Sequence, residues 1–223
     1  MPARTNRTIV THSLSSTLPW PSRTHVILLL FLFFNFSAHA ERALTPATIP
    51  IANAPLEALQ CAGCHGPRGM SQGPGIPIIA GMRADEMQDA FSQFRAGRRA
   101  GTVMPRLAQH LEDAQVARIA EYFASQPFGF HSQRVDAVRA ARGQEIHQKY
   151  CNRCHGQDGT SNRLDAPILA GQWMTYLRFS LADFQAEHRP APQKMRSALH
   201  NAVSRYGTQA LEDVVHFYGS RQP

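Results

Sequence analysis

The sequence predicts an all-α protein built as two tandem copies of one small domain. Three observations lead there. CAGCHGPRGMSQGPGIPIIAG begins at Cys61, and CNRCHGQDGTSNRLDAPILAG begins at Cys151, the same phrase 90 residues later. All 4 cysteines of the 223-residue chain fall inside these two stretches. Strand-type alternation is scarce, whereas each copy closes on an amphipathic run with helical periodicity and paired aromatics, Glu121-Tyr122-Phe123 in one and His216-Phe217-Tyr218 in the other.

Residues 1–40 read as a secretory signal peptide. Val26 to Phe36 is an apolar run of 11 residues, preceded by Arg4, Arg7 and Arg23 without any acidic residue. It is followed by Ser37-Ala38-His39-Ala40, whose small residues suit cleavage after Ala40. A bilayer span needs about 20 apolar residues, so no membrane span is expected after cleavage and the mature chain is expected in the periplasm. Removing residues 1–40 lowers the formal charge from +7 to +4. No basic stripe interleaved with aromatics remains, which excludes nucleic acid as a partner.

A linker over 41–53 leads into the first domain, expected over 54–128. Pro55 opens a short entry helix, Leu56 to Gln60, that delivers Cys61. A middle helix is expected from Asp85 to Ala96, and a C-terminal helix from Glu112 to Ser125 with Val116, Ile119 and Phe123 turned inward. The turn-rich stretch from Gln126 to Arg134 carries two exposed-looking aromatics, Phe128 and Phe130, and places a connector at 129–137. The second domain, 138–223, starts on a longer entry helix, Val138 to Tyr150. Gly143 inside that helix lowers helix stability, which implies a close crossing with another helix. The natural partner is Thr208 to Gly219, with Thr208 as its cap and Leu211, Val215 and Tyr218 on one face. The second middle helix is expected from Met174 to Ala186.

Each cysteine pair is spaced Cys-x-x-Cys and followed directly by histidine, the attachment pattern of c-type haem. Residues three and four apart share one face of a helical turn. Cys61, Cys64 and His65 therefore point the same way, as do Cys151, Cys154 and His155, so that two thiols form thioethers with the haem vinyl groups while the imidazole reaches the iron. A tetrahedral zinc centre would join both Cys-x-x-Cys units, which suits poorly two units that each sit in a long repeat of their own. A redox dithiol needs neither the histidine nor the duplication. The expected cofactors are two covalently bound haem c groups, and domains of this size are expected to fold poorly without them.

The repeat also supplies sixth ligands. Met104 lies 43 residues after Cys61 and Met195 lies 44 after Cys151. Met70 is too close to His65, Met87 falls inside a helix, and Met82 and Met174 sit beside the repeated Ala-Gly, where packing is the plainer role. Iron held by histidine and methionine has no open position, which points to electron transfer. A dihaem peroxidase would need a displaceable ligand. His110, His147, His188 and His200 are expected at the surface.

These residues resemble exported dihaem cytochromes made of two class I cytochrome c domains, over nearly all of the mature chain. Within that group AGQWMTYLRFSLADF, PQKM and LEDVVHFYGSRQ, with GPGIPIIAG and TVMPRLAQH in the first half, look most like the cytochrome subunit of flavocytochrome c sulfide dehydrogenase. The resemblance implies the axial pairs His65/Met104 and His155/Met195, with Pro77 and Pro167 offering carbonyls to the histidines. It places Trp173 or Tyr176 near a haem propionate, core packing being the alternative, and Ala191 stands where relatives often carry another methionine. It implies no catalytic site on this chain. A separate sulfide-oxidising flavoprotein subunit would supply electrons, and a soluble cytochrome or other acceptor would take them. The alternative is a free dihaem carrier feeding a terminal oxidase. The departure of the second copy from the first, beginning at Gln172-Trp173-Met174, is read as a dedicated docking surface and favours the subunit.

Overall fold

The computed structural model describes residues 54–162 and 166–221, and every regular element among them is helical. The expected signal peptide and the linker over 41–53 lie outside the described residues. In the first half, α1 (Leu56–Leu59) and α2 (Ala62–His65) lead to α3 (Ala84–Arg95), α4 (Met104–Ala108) and α5 (Asp113–Ala124). In the second, α6 (Ala137–Tyr150) and α7 (Asn152–His155) run into a 3₁₀ turn (Gln157–Gly159) and then α8 (Met174–Gln185), α9 (Gln193–Tyr206) and α10 (Gln209–Ser220).

Each half has its own apolar core. Phe91 and Phe94 of α3 meet Val116, Ile119 and Phe123 of α5, all five buried. Ile146 of α6, Leu177 of α8 and Val214, Val215, Phe217 and Tyr218 of α10 form the second cluster. The crossing implied by Gly143 is that of α6 with α10: a Cβ at Gly143 would stand 2.0 Å from the Asp213 carbonyl oxygen and 2.8 Å from the Phe217 Cβ. Asp213 itself is buried and accepts from Arg142 through Nε and Nη2, at 2.9 Å each, so the same crossing carries an ion pair.

The duplication extends to single backbone hydrogen bonds. Ile79 N–H donates to the Gly69 carbonyl and Leu169 N–H to that of Gly159, both at 2.8 Å. Gly81 N–H donates to Phe123 at 2.8 Å and Gly171 N–H to Tyr218 at 2.9 Å. After the middle helices, Gly97 has φ +67° and its counterpart Glu187 has φ +58°. A side chain in that left-handed region costs about 1 kcal/mol, so the second copy keeps the turn with an unfavourable residue.

Several expectations are corrected. Residues 193–206 form a 14-residue helix where the first half has only the 5 residues of α4. Its signals are Pro192 ahead of it and Gly207, at φ +82°, closing it. Thr208 precedes α10, but its side chain makes no capping bond, because its backbone is already helical. The buried face of α10 holds Val215 and Tyr218 as expected and also Ala210, Asp213, Val214 and Phe217, whereas Leu211, expected on that face, is only half-buried. Phe128 and Phe130 are half-buried: Phe128 lies over Gly81 and Phe130 over Gly171, so the connector covers the matching turn of each half. His147 is buried at 1 % exposure instead of lying at the surface.

Because the obstruction at Gly143 is backbone, Gly143→Ala is expected to destabilise the holoprotein by about 3 kcal/mol or more, at the top of the overpacking range. Denaturant unfolding followed by helix circular dichroism checks this.

Candidate functional site

The two attachment turns are built alike. In each, the first cysteine precedes a 4-residue helix and its carbonyl accepts from the histidine N–H, at 2.8 Å for His65 and 3.0 Å for His155. Cys61 and Cys151 are half-buried, and before any attachment burial pushes their thiols up to about 11, whereas Cys64 and Cys154 are exposed. The histidine rings are oriented from behind. His65 Nδ1 lies 2.9 Å from the Pro77 carbonyl oxygen and His155 Nδ1 lies 3.2 Å from that of Pro167. A carbonyl only accepts, so Nδ1 carries the proton and Nε2 keeps its lone pair. Burial holds both rings below the usual histidine range, opposed in part by the carbonyl bond. Neutral imidazoles with one free, directed nitrogen suit metal ligation.

Around these turns the surfaces are apolar. Cys61 and Met104 both pack on the first core cluster, beside Ile79, Phe91 and Phe94. A cavity of about 310 Å³ is lined by His155, Met195, Pro167, Leu169, Leu177 and Phe184 of the second half together with first-half residues that include Pro77, Ile78 and Met82. The donor set therefore fits covalently attached haem in both halves.

The turn below His155 carries a device absent from the first half. His147 Nε2 donates to the Gly156 carbonyl at 2.9 Å, which leaves Nδ1 to accept from the Tyr218 hydroxyl at 2.9 Å. Burial lowers the His147 pKa and raises that of Tyr218 well above its usual value, so both are neutral. The first half has Glu57 and Phe123 at the matching places.

The residues where the second copy departs from the first form the seam between the halves. Gln172, 5 % exposed, accepts from Ile78 N–H through Oε1 and donates to the Ile78 carbonyl through Nε2, both at 2.9 Å. Trp173 Nε1 donates to Ser71 Oγ at 2.8 Å. Tyr176 N–H donates to the Pro74 carbonyl at 3.0 Å, Ala100 N–H to that of His188 at 2.9 Å, and Asn162 Nδ2 to that of Gly81 at 2.9 Å. Gln133 of the connector ties in by donating to the Gln172 carbonyl at 3.0 Å and accepting from Met174 N–H at 2.8 Å. The reading of Gln172 onward as a surface for an external partner is thus corrected: these side chains are spent inside the molecule. Sequence reasoning also missed Arg99 and Arg189, which line the same cavity as Met195. Their separation of 90 residues, the repeat period, was the available signal.

Comparison with known proteins agrees with this architecture. Residues 54–123 and 138–203 match the family described as cytochrome C oxidase, cbb3-type, subunit III. The chain belongs to this family of cytochrome c domains, and it is a dihaem c-type cytochrome of the electron-carrier class, whose motifs at Cys61/Cys64 and Cys151/Cys154 fit two covalent haem c groups. It is 32% identical over 136 residues to a thiosulfate dehydrogenase electron acceptor of Thiomonas intermedia, a match covering 56% of this chain and 63% of that relative. To a cytochrome c4 of Thiocapsa roseopersicina it is 30% identical over 167 residues, 70% of this chain and 84% of the relative. The cytochrome subunit of sulfide dehydrogenase of Chlorobaculum tepidum is 36% identical over 99 residues, 44% of this chain and 89% of that subunit. The crystal structure of reduced cytochrome c4 from Pseudomonas stutzeri superimposes with a TM-score of 0.62 at 23% identity, covering 74% of this chain and 95% of that one.

The pyridine haemochrome assay should return two haems per purified chain. The double substitution Cys151→Ala and Cys154→Ala should return one, with the first half still loaded.

Proposed function

We propose that this chain is a periplasmic two-haem electron carrier, which accepts electrons singly from an oxidising enzyme and delivers them to an acceptor such as a terminal oxidase. His65 with Met104 and His155 with Met195 are the axial pairs. The observation that carries this reading is the matched pair of neutral, carbonyl-oriented imidazoles, one in each half, with Met195 on the wall of the cavity that His155 lines. When bound, each haem supplies a one-electron couple. The chain's own part is to hold the imidazoles in one tautomer, to present thioethers opposite them, and to surround both with apolar side chains. Among the described residues no helix is long and apolar enough to cross a membrane.

A second reading is the cytochrome subunit of a sulfide-oxidising flavoprotein. The similarity to the Chlorobaculum subunit favours it, although that match takes in under half of this chain. The internal use of Gln172 and Trp173 removes the docking surface that had favoured it from sequence. A sulfide enzyme and a thiosulfate enzyme are the donors that the relatives' names suggest.

Two measurements test these statements. The ferric protein should show the far-red methionine-to-iron charge-transfer band, and Met104→Ala and Met195→Ala should each remove about half of it; a band unchanged in both variants refutes the axial assignment. A carrier should purify as a free chain and be reduced on mixing with catalytic amounts of its donor enzyme. Co-purification in a fixed ratio with a flavoprotein, with sulfide reducing the haems only in that complex, would establish the second reading instead.

A further inference from the structure

The second attachment turn is held less tightly by its own backbone and ring than the first. Gly159 N–H donates to the Gly156 carbonyl at 3.2 Å, against 3.0 Å for Gly69 to Gly66. His155 Nδ1 lies 3.2 Å from its proline carbonyl oxygen, against 2.9 Å for His65. The second turn is gripped from another side instead. His147 Nε2 donates to the Gly156 carbonyl, which belongs to the residue directly after His155, and the Tyr218 hydroxyl donates to His147 Nδ1, both at 2.9 Å. His147 is 1 % exposed and Tyr218 3 %. At the matching place of the first half, Glu57 turns away from its turn to pair with Arg118.

The aromatic pair of the C-terminal helix is reversed between the halves. Phe123 and Tyr218 occupy matching places, because their carbonyls accept from Gly81 and Gly171 N–H. The first half therefore reads Tyr-Phe where the second reads Phe-Tyr. In the first, the Tyr122 hydroxyl donates directly to the Pro67 carbonyl at 3.1 Å. In the second, the hydroxyl stands one residue later and is turned toward His147 and the Cys151 sulfur. Tyr218 also reaches the segment that carries Pro167. Its carbonyl holds Gly171, and its ring lies on Gly159, where a Cβ would stand 2.6 Å from Cε1. The Gly159 carbonyl in turn accepts from Leu169 and Ala170 N–H. The turn that bears His155 and the segment that bears Pro167 are thus fastened to one residue.

We infer that His147 and Tyr218 are positioning residues for the second-half iron ligand: they set the distance between the His155 ring and the Pro167 carbonyl, and through it the donor strength of His155. The inference rests on the proposed ligation of iron by His155. A hydrogen bond given by Nδ1–H makes the opposite ring nitrogen more basic, and a more basic ligand favours ferric iron. Hydrogen bonding behind the ligand is one of the levers a protein has on a haem. A ring that donates through Nε2 and accepts through Nδ1 is neutral, so His147 acts by geometry and adds no charge. The first half keeps its shorter histidine bond without this relay, and the two irons therefore answer to different parts of the fold.

The test uses the loaded, reduced protein. Proton NMR follows the Nδ1–H signal of each ligating histidine, with the second-half signal identified by its loss in the Cys151→Ala, Cys154→Ala variant. Tyr218→Phe removes only the hydroxyl and places there the residue that already stands at 123 in the first half. In this variant and in His147→Leu, the His155 signal is expected to move upfield and exchange faster with solvent, while the His65 signal stays. A potentiometric titration should show the second-half haem shifted toward the ferrous form by about threefold in equilibrium, or about 28 mV at 59 mV per tenfold for one electron. His147→Gln, whose amide can donate to Gly156 and accept from Tyr218, should restore most of both effects. A lowered unfolding midpoint with the His155 signal and the potential unmoved overturns the inference and leaves the pair a packing contact. Should His147→Leu fail to mature, Tyr218→Phe decides alone. A His155 Nδ1–H signal missing from the wild-type protein is a separate outcome, which refutes the ligand assignment and the relay with it.

Discussion

The paired hydrogen bonds between the Gln172 side chain and the Ile78 peptide are the constraint from which the arrangement of the halves follows. Ile78 is the residue after Pro77, whose carbonyl orients His65. Holding both the N–H and the C=O of Ile78 fixes the peptide next to that carbonyl, so the ring of a histidine in one half is steadied by a side chain of the other. Gln172 in turn follows the Ala170-Gly171 turn that continues from Pro167, the acceptor for His155. One amide therefore connects the segments behind both imidazoles. Its removal would leave two buried backbone groups without partners, at about 1–3 kcal/mol each, which explains why an amide and not an apolar residue stands there.

The two halves have drifted apart in a graded way. Where backbone geometry makes the turn, as at Gly69 and Gly159 or Gly81 and Gly171, the copies keep the same hydrogen bonds to within about 0.2 Å. Where side chains meet the other half, the copies differ, with Gln172 standing opposite Met82 in the repeat and Tyr176 opposite Glu86. The differences are those expected when one ancestral surface must serve as both faces of a heterologous contact. His147 and Tyr218 extend the asymmetry to the turn below the second attachment site, where a neutral ring replaces Glu57, a half-buried carboxylate paired with Arg118.

Much of this was legible in the chain. The Cys-x-x-Cys-His units, the 90-residue period and the apolar faces of the terminal helices are local patterns, and local patterns map directly onto helices and turns. Gly143 predicted its helix crossing because only a missing side chain admits the Asp213 carbonyl. What escaped were pairings between distant residues. Nothing in the vicinity of Gln172 names Ile78 as its partner, 94 positions away, so a seam residue read as a docking residue. His147 escaped because a polar side chain reads as exposed unless the hydroxyl and the carbonyl that satisfy it are known. The helix over 193–206 escaped because its counterpart in the first half is only the 5 residues of α4, so the repeat offered no template for it.

The connector gives the molecule a polarity of assembly. Phe128 covers the turn at Gly81 and Phe130 the turn at Gly171, two residues apart on one strand of chain. Such a spacing lets a single extended segment act as a rivet through both halves, and it can be inserted only when both turns already exist. The first half alone would present the Ile78 peptide and the Gly81 surface without their covers, and the second half alone would present the Gln172 amide with nothing to grip. Socket and plug have become distinct parts, so neither half retains the self-complementary face from which a symmetric pair of identical copies could be built.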